Sequence, residues 1–146
     1  GDRQMLPDFA QTELDEALSL TAANTGLTLI MALSYSSRWE ITNAIKQIAA
    51  DVKAGSLDPQ QINQDTIAGY LCTKGIPDPA LVIRTSGEYR ISNFLLYQLA
   101  YAELYFTPIL WPDFRKPNLY EAIIDFQQRE RRFGKTGKQI KQEENV

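Results

Sequence analysis

A chain of 146 residues is long enough for one compact domain with a core of its own. Its 44% hydrophobic and 23% charged content is ordinary for a globular protein, and a net charge of -3 argues against a general nucleic-acid binder, which carries a basic excess. With no histidine and one cysteine, the sequence excludes Ser-His and Cys-His catalysis, the common zinc sites and an internal disulfide framework.

Chemistry therefore falls to carboxylates, arginines, hydroxyls, backbone amides or an oxygen-bound metal. Cys72 lies in an apolar stretch and reads as a buried, inert thiol in a reducing cytoplasm. No apolar run approaches the about 20 residues that span a bilayer. Gly1 to Gln4 leads into a helix-like segment rather than a signal peptide.

The first predicted helix runs from Pro7 to Ala23, with Leu6, Ala10, Leu14, Ala17, Leu18 and Thr21 at helical spacing and Asn24-Thr25-Gly26 ending it. Leu27 to Leu33 is an almost unbroken apolar run, the pattern of a strand covered on both faces in a parallel sheet. Ser34-Tyr35-Ser36-Ser37 follows as a loop of mostly small residues. The next helix carries Ile41, Ala44, Ile45, Ile48, Ala49 and Val52 on one stripe and closes at Gly55. Asp58-Pro59 starts a short helix, with the aspartate as cap. Ile62, Ile67, Tyr70 and Leu71 are its apolar residues, in one short helix or split over two.

Ala80 to Ile83 is a second buried-type strand. A helix is expected from about Ser92, with Ile91, Phe94, Leu95, Leu99 and Ala102 inward. Glu103 to Thr107 is a third strand, and Ile109 to Phe114 a rigid apolar-aromatic loop. The last helix is expected to start at Asn118, with Glu121 as its capping-box partner and Leu119, Ala122, Ile123, Phe126 and Phe133 inward. Alternating strands and helices predict an α/β fold with a parallel sheet flanked by helices. Only about three strands are visible, fewer than usual, so the sheet is small or incomplete.

Arg84-Thr85-Ser86-Gly87-Glu88-Tyr89-Arg90-Ile91-Ser92-Asn93 is the densest chemical segment. It leaves the carboxyl end of a buried strand, where open α/β sheets bind ligands. Arg84 and Arg90 bracket a glycine-containing turn rich in hydroxyls, and guanidinium forks match phosphate oxygens. With Ser92 capping the next helix, these residues describe a diphosphate cradle. A structural turn with solvated arginines is the alternative, and the residues alone leave the two even. Glu103 is a carboxylate entering a core strand, which is costly unless it is paired or metal-bound. Mg²⁺ beside phosphates is one reading. A salt bridge to Arg84 or Arg90 is the other, at least as well supported. Gly134-Lys135-Thr136 resembles the end of a phosphate-binding loop, but Arg129 stands where that motif needs glycine.

Several blocks, in order and at matching spacing, resemble the cis-prenyltransferase family of the undecaprenyl diphosphate synthase type. They are Asn24 to Leu29, Leu81 to Glu88, Arg90 to Leu96, Ala102 to Phe106, Leu110 to Phe114 and Arg129 to Gly134. The resemblance covers nearly the whole chain. It implies the fold of that family, present here as residues 1–134 of a single domain's C-terminal part and incomplete at the N-terminus, followed by a polar, flexible tail at 135–146. It implies Mg²⁺-dependent condensation of isopentenyl diphosphate onto farnesyl diphosphate with cis double bonds, to make a cell-wall lipid carrier. Carried over by residue, Arg84, Arg90 and Ser92 bind the diphosphate of isopentenyl diphosphate, and Glu103 helps hold Mg²⁺. Leu27 and Leu29 line the product tunnel. Trp111 is a further substrate-binding residue, in a loop near the site with Asp113, and no role is assigned to Asp113 or Glu88. Arg132 reaches the neighbouring subunit's active site in a homodimer. A cytoplasmic enzyme, peripherally associated with membrane through its lipid product, is the expected setting.

Two departures stand out. The family's Asn-Tyr-Gly-Gly-Arg is Ser34-Tyr35-Ser36-Ser37-Arg38 here, and losing both glycines restricts that loop. The family's Asp-Gly-Asn segment is absent, so the chain is read as a fragment, inactive alone. A non-catalytic partner subunit is the alternative, though retention of Arg84, Arg90, Ser92 and Glu103 favours the enzyme.

Overall fold

The structure, a computed structural model, describes residues 1–130. The expected tail at 135–146, together with Arg132 and Phe133, lies outside the described residues. The described residues form two compact units, one of residues 1–77 with 93–96, the other of residues 78–92 with 97–130.

The first unit is helical. Helix α1 spans Asp8–Thr21, α2 spans Ser37–Ala54 and α3 spans Gln64–Tyr70. Pro7 precedes α1, and the helix buries no residue, leaving Phe9, Leu18 and Leu20 exposed. Helix α2 ends at Gly55, whose φ of 76° is the left-handed cap that glycine takes without strain. Asp58 caps a single 3-10 turn, Pro59–Gln61, by accepting from Gln60 N at 2.9 Å, so the expected short helix begins here but lasts one turn. Asn63 then caps α3, accepting from Thr66 N at 2.9 Å.

The start of α2 has an unusual solution to its free amides. Ser36, the residue before it, makes no side-chain cap. Instead Ser37 N donates to Asn93 O at 2.8 Å and Arg38 N to Asn93 Oδ1 at 3.0 Å. Ser37, fully buried, returns the contact by accepting from Leu96 N through its Oγ at 2.8 Å. One turn further on, the buried Glu40 accepts from the Tyr35 hydroxyl at 2.6 Å and from Cys72 N at 2.8 Å. These bonds are why a carboxylate can be buried here.

Tyr35 gives this knot a pH signature. Burial first, and the Glu40 hydrogen bond second, push its pKa up to about 12. Its unfolded value is about 10. A raised pKa means that the stabilisation is complete below pH 10 and is lost as pH rises through about 12. Unfolding free energy measured from pH 9 to 12 is therefore expected to fall for the native chain and to fall less for Tyr35→Phe. Tyr70, raised by its 2.5 Å bond to Asp51, leaves the variant some slope of its own. Parallel curves for the two proteins would remove Tyr35 from the account.

Three expectations fail in this unit. Leu27 to Leu33 forms no strand: no described segment pairs with it, and Leu27 and Leu29 are 94% and 77% exposed. Strand pattern without a ladder partner is not a strand. The helix expected from Ser92 is absent, because Ser92, Asn93 and Leu95 have φ of 53°, 60° and 46°, in the left-handed region. Cys72 is exposed rather than buried, although desolvation around its sulfur, with Glu40 adding to it, raises the thiol's pKa.

The second unit holds the sheet. Strand β1, Leu81–Arg84, and strand β2, Glu103–Phe106, pair in parallel, with Leu81 opposite Glu103 and Arg84 opposite Phe106. Helix α4, Lys116–Gln128, packs on β2 and buries Ala122 completely. It starts two residues earlier than expected. Asn118 is its third residue and accepts from Arg115 N at 2.8 Å, while Pro117 occupies the first turn, where its missing N–H costs nothing. The α/β class with a parallel sheet holds, with α4 packed on the sheet and two strands described rather than three.

Candidate functional site

Both strands run the same way, so their carboxyl ends share one edge, and the arginine-rich turn leaves from that edge. Arg84 closes β1, and its carbonyl accepts from Thr107 N at 2.9 Å. The chain then reverses through Ser86 and Gly87, both left-handed at φ 71° and 67°. Ser86 N donates to Ile109 O at 2.8 Å and Gly87 N to Thr107 O at 2.9 Å. The turn is thus stitched onto the chain leaving β2. Holding a serine at that φ is unfavourable for an L-residue, and such strain is found at ligand sites when the surroundings enforce it. Beyond the turn, the Tyr89 ring lies 5.3 Å from that of Phe106. Arg90 and Ser92 are exposed, and Arg84 is half-buried.

Arg90 is not idle: Glu88 Oε2 is 2.5 Å from its Nη1. Sequence reasoning left Glu88 without a role, and the structure makes it the internal anion beside Arg90. Any anion that approached Arg90 would have to compete with that carboxylate. The pair is exposed, so the competition is weak.

Glu103 goes elsewhere. Parallel register places it three residues before Phe106, at the opposite end of the strands from Arg84, about 10 Å away at about 3.3 Å per residue. Neither Arg84 nor Arg90 pairs with it. Its Oε2 accepts from Arg129 Nη1 at 3.0 Å, and Arg129 also donates to Leu104 O at 2.9 Å. Arg129 Nη2 approaches Asp125 Oδ2 at 2.5 Å, an ion pair without hydrogen-bond alignment. The Arg129 pKa is raised, first by the Glu103 bond. The sequence marked Arg129 as part of a block but missed this partner, which only the fold of α4 against β2 supplies.

Of the remaining expected site residues, Trp111 opens a 3-10 turn, Trp111–Asp113, and is 71% exposed, stacked 6.3 Å from Phe114. Leu27 and Leu29 are both exposed. Arg132 falls outside them.

Glu103 is also the residue on which the Mg²⁺ expectation rests. Mg²⁺ takes one or two carboxylates and completes its shell with water and substrate phosphate. Glu103 has the carboxylate chemistry of one such ligand, with its Oε2 already engaged by Arg129. Among the described residues, no group of three or more acidic or cysteine side chains could hold a metal unaided.

The arginine-bracketed turn, with left-handed Ser86 and Gly87, leaves the carboxyl ends of parallel strands, the edge at which open α/β sheets bind ligands. Comparison with known proteins makes the α/β class specific. The family model described as "Putative undecaprenyl diphosphate synthase" matches residues 1–134. An isoprenyl transferase of Chlorobaculum tepidum is 56% identical over 144 residues, covering 99% of this chain and 54% of that protein. A ditrans,polycis-undecaprenyl-diphosphate synthase of Vibrio vulnificus, (2E,6E)-farnesyl-diphosphate specific, is 49% identical over 141 residues, covering 97% and 56%. The crystal structure of lavandulyl diphosphate synthase from Lavandula x intermedia, in complex with dimethylallyl diphosphate, superposes with a TM-score of 0.89 at 41% identity, covering 92% and 58%. The chain belongs to the undecaprenyl diphosphate synthase family of prenyltransferases. It spans little more than half the length of these relatives. No described helix is long and apolar enough to cross a membrane.

Proposed function

We propose that this chain is the C-terminal part of a single-domain cis-prenyltransferase that condenses isopentenyl diphosphate onto farnesyl diphosphate. The observation that carries the reading is the turn from Arg84 to Ser92, pinned over the end of β2 with both arginines at its borders. Arg84 and Arg90 hold the diphosphate of isopentenyl diphosphate, Arg90 after exchanging Glu88 for the ligand. The Ser92 hydroxyl adds a further hydrogen bond. Anchored this way, the isopentenyl double bond is presented to the allylic carbon of the second substrate, so that orientation replaces a chance encounter. The allylic C–O bond breaks, a C–C bond forms, and a proton is lost to leave the new cis double bond. Mg²⁺, when bound through Glu103, would neutralise charge on a diphosphate. A homodimer in which Arg132 serves the neighbouring site, and a cytoplasmic enzyme that meets the membrane through its product, belong to the same reading.

The test is a chimaera. This chain is joined to the part of the Chlorobaculum tepidum relative that it does not match. Incorporation of labelled isopentenyl diphosphate into polyprenyl product is expected from the chimaera with farnesyl diphosphate and Mg²⁺, and none from the 146-residue chain alone. A folded chimaera that shows no affinity for isopentenyl diphosphate would sink the reading.

A further inference from the structure

Arg129 lies on two carboxylates and a carbonyl at once. Its Nη1 reaches Glu103 Oε2 and Leu104 O, and its Nη2 reaches Asp125 Oδ2. The Arg129 and Glu103 side chains are 31% and 28% exposed, so solvent screens this contact less than the open Arg90 pair. The backbone fixes Arg129 too, since its N–H donates to Phe126 O at 3.2 Å where α4 ends.

We propose that Arg129 is a resident counter-cation for Glu103, occupying the place of a divalent cation, so that Glu103 takes up such an ion only as Arg129 releases Oε2. The proposal rests on reading Glu103 as a cation ligand. A fixed positive charge within about 4 Å weakens binding of a second cation by an order of magnitude or more at a partly screened site. A hard divalent ion prefers carboxylate oxygen, so the same atoms that hold Arg129 are those it would seek. Arg129 thus sets the threshold at which Glu103 becomes a ligand. It acts through Glu103 and is a positioning residue.

The experiment titrates Mn²⁺ into the 146-residue chain and follows free ion by electron paramagnetic resonance. Arg129→Gln is expected to bind Mn²⁺ at least ten-fold more tightly than the native chain. Arg129→Lys should fall between them, because an ammonium keeps the charge but cannot hold three acceptors in a fork. Adding Glu103→Gln should abolish the gain in either background. Equal affinity of Arg129→Gln and the native chain, with binding that still needs Glu103, overturns the counter-cation role while leaving Glu103 a ligand. Binding that ignores Glu103→Gln overturns both. Should Arg129→Gln fail to fold, Arg129→Lys decides: affinity equal to the native chain's overturns the proposal.

Discussion

Replacing Arg84 by alanine in the chimaera is expected to lower kcat/KM for isopentenyl diphosphate by about 10²–10³-fold, as losing a bidentate, charge-assisted contact of about 3–4 kcal/mol requires. Arg84 stands where β1 gives way to the strained turn, and its carbonyl is held by Thr107. Backbone bonds shape the turn, so side-chain truncation should leave the fold intact and isolate the ligand contact. Arg84→Lys should recover only a small part of the loss, since a point charge cannot reproduce the fork. The KM for farnesyl diphosphate should change far less. Steady-state kinetics with each substrate varied in turn measure this. Unchanged isopentenyl diphosphate kinetics in Arg84→Ala would make the turn a structural feature with solvated arginines.

The second large effect concerns stability. Glu40 is 1% exposed and accepts from both the Tyr35 hydroxyl and Cys72 N. Glu40→Ala strands two donors and leaves a void. At about 1–3 kcal/mol per unsatisfied group, the cost is several kcal/mol. For a chain of this size, that is a fall in melting temperature on the order of 10 °C. Glu40→Gln, which keeps one acceptor oxygen, should lose roughly half as much. Thermal unfolding followed by circular dichroism decides: an alanine variant that melts within a degree of the native chain would show that Glu40 is not the centre of this knot.

What the sequence revealed depended on whether the information was local. Helix α2 was legible because its stripe and Gly55 are properties of one segment. Strands β1 and β2 were legible as apolar runs, and they happen to be each other's partners. Leu27 to Leu33 has an equally good pattern, yet a strand is a relation between two segments, and no described residue completes it. The same distinction runs through the site. The turn from Arg84 to Ser92 was legible because its residues are contiguous. Glu103 was recognised as a carboxylate in need of a partner, but spacing pointed to the cradle arginines, while the packing of α4 on β2 brought Arg129. The helix expected after Ser92 failed for a subtler reason. Its apolar spacing fits a helix, but the left-handed conformations at Ser92, Asn93 and Leu95 cannot be read from side-chain identity.

The remote cap of α2 has a consequence in time. Asn93 is 55 residues downstream of Arg38, so the first turn of α2 cannot be completed when the rest of that helix emerges during synthesis. At about 5–20 residues per second, the delay is roughly 3–11 seconds. Closing so long a loop carries an entropic penalty that grows only slowly with its length. The nascent helix is therefore expected to propagate from its middle, around the Ala44 stripe, with a frayed start. The same step that seats Asn93 on Ser37 and Arg38 then ends the fraying and fixes the backbone directly after Ser92. Order at the start of α2 and order beyond the cradle turn would arise together, late, as a single cooperative event.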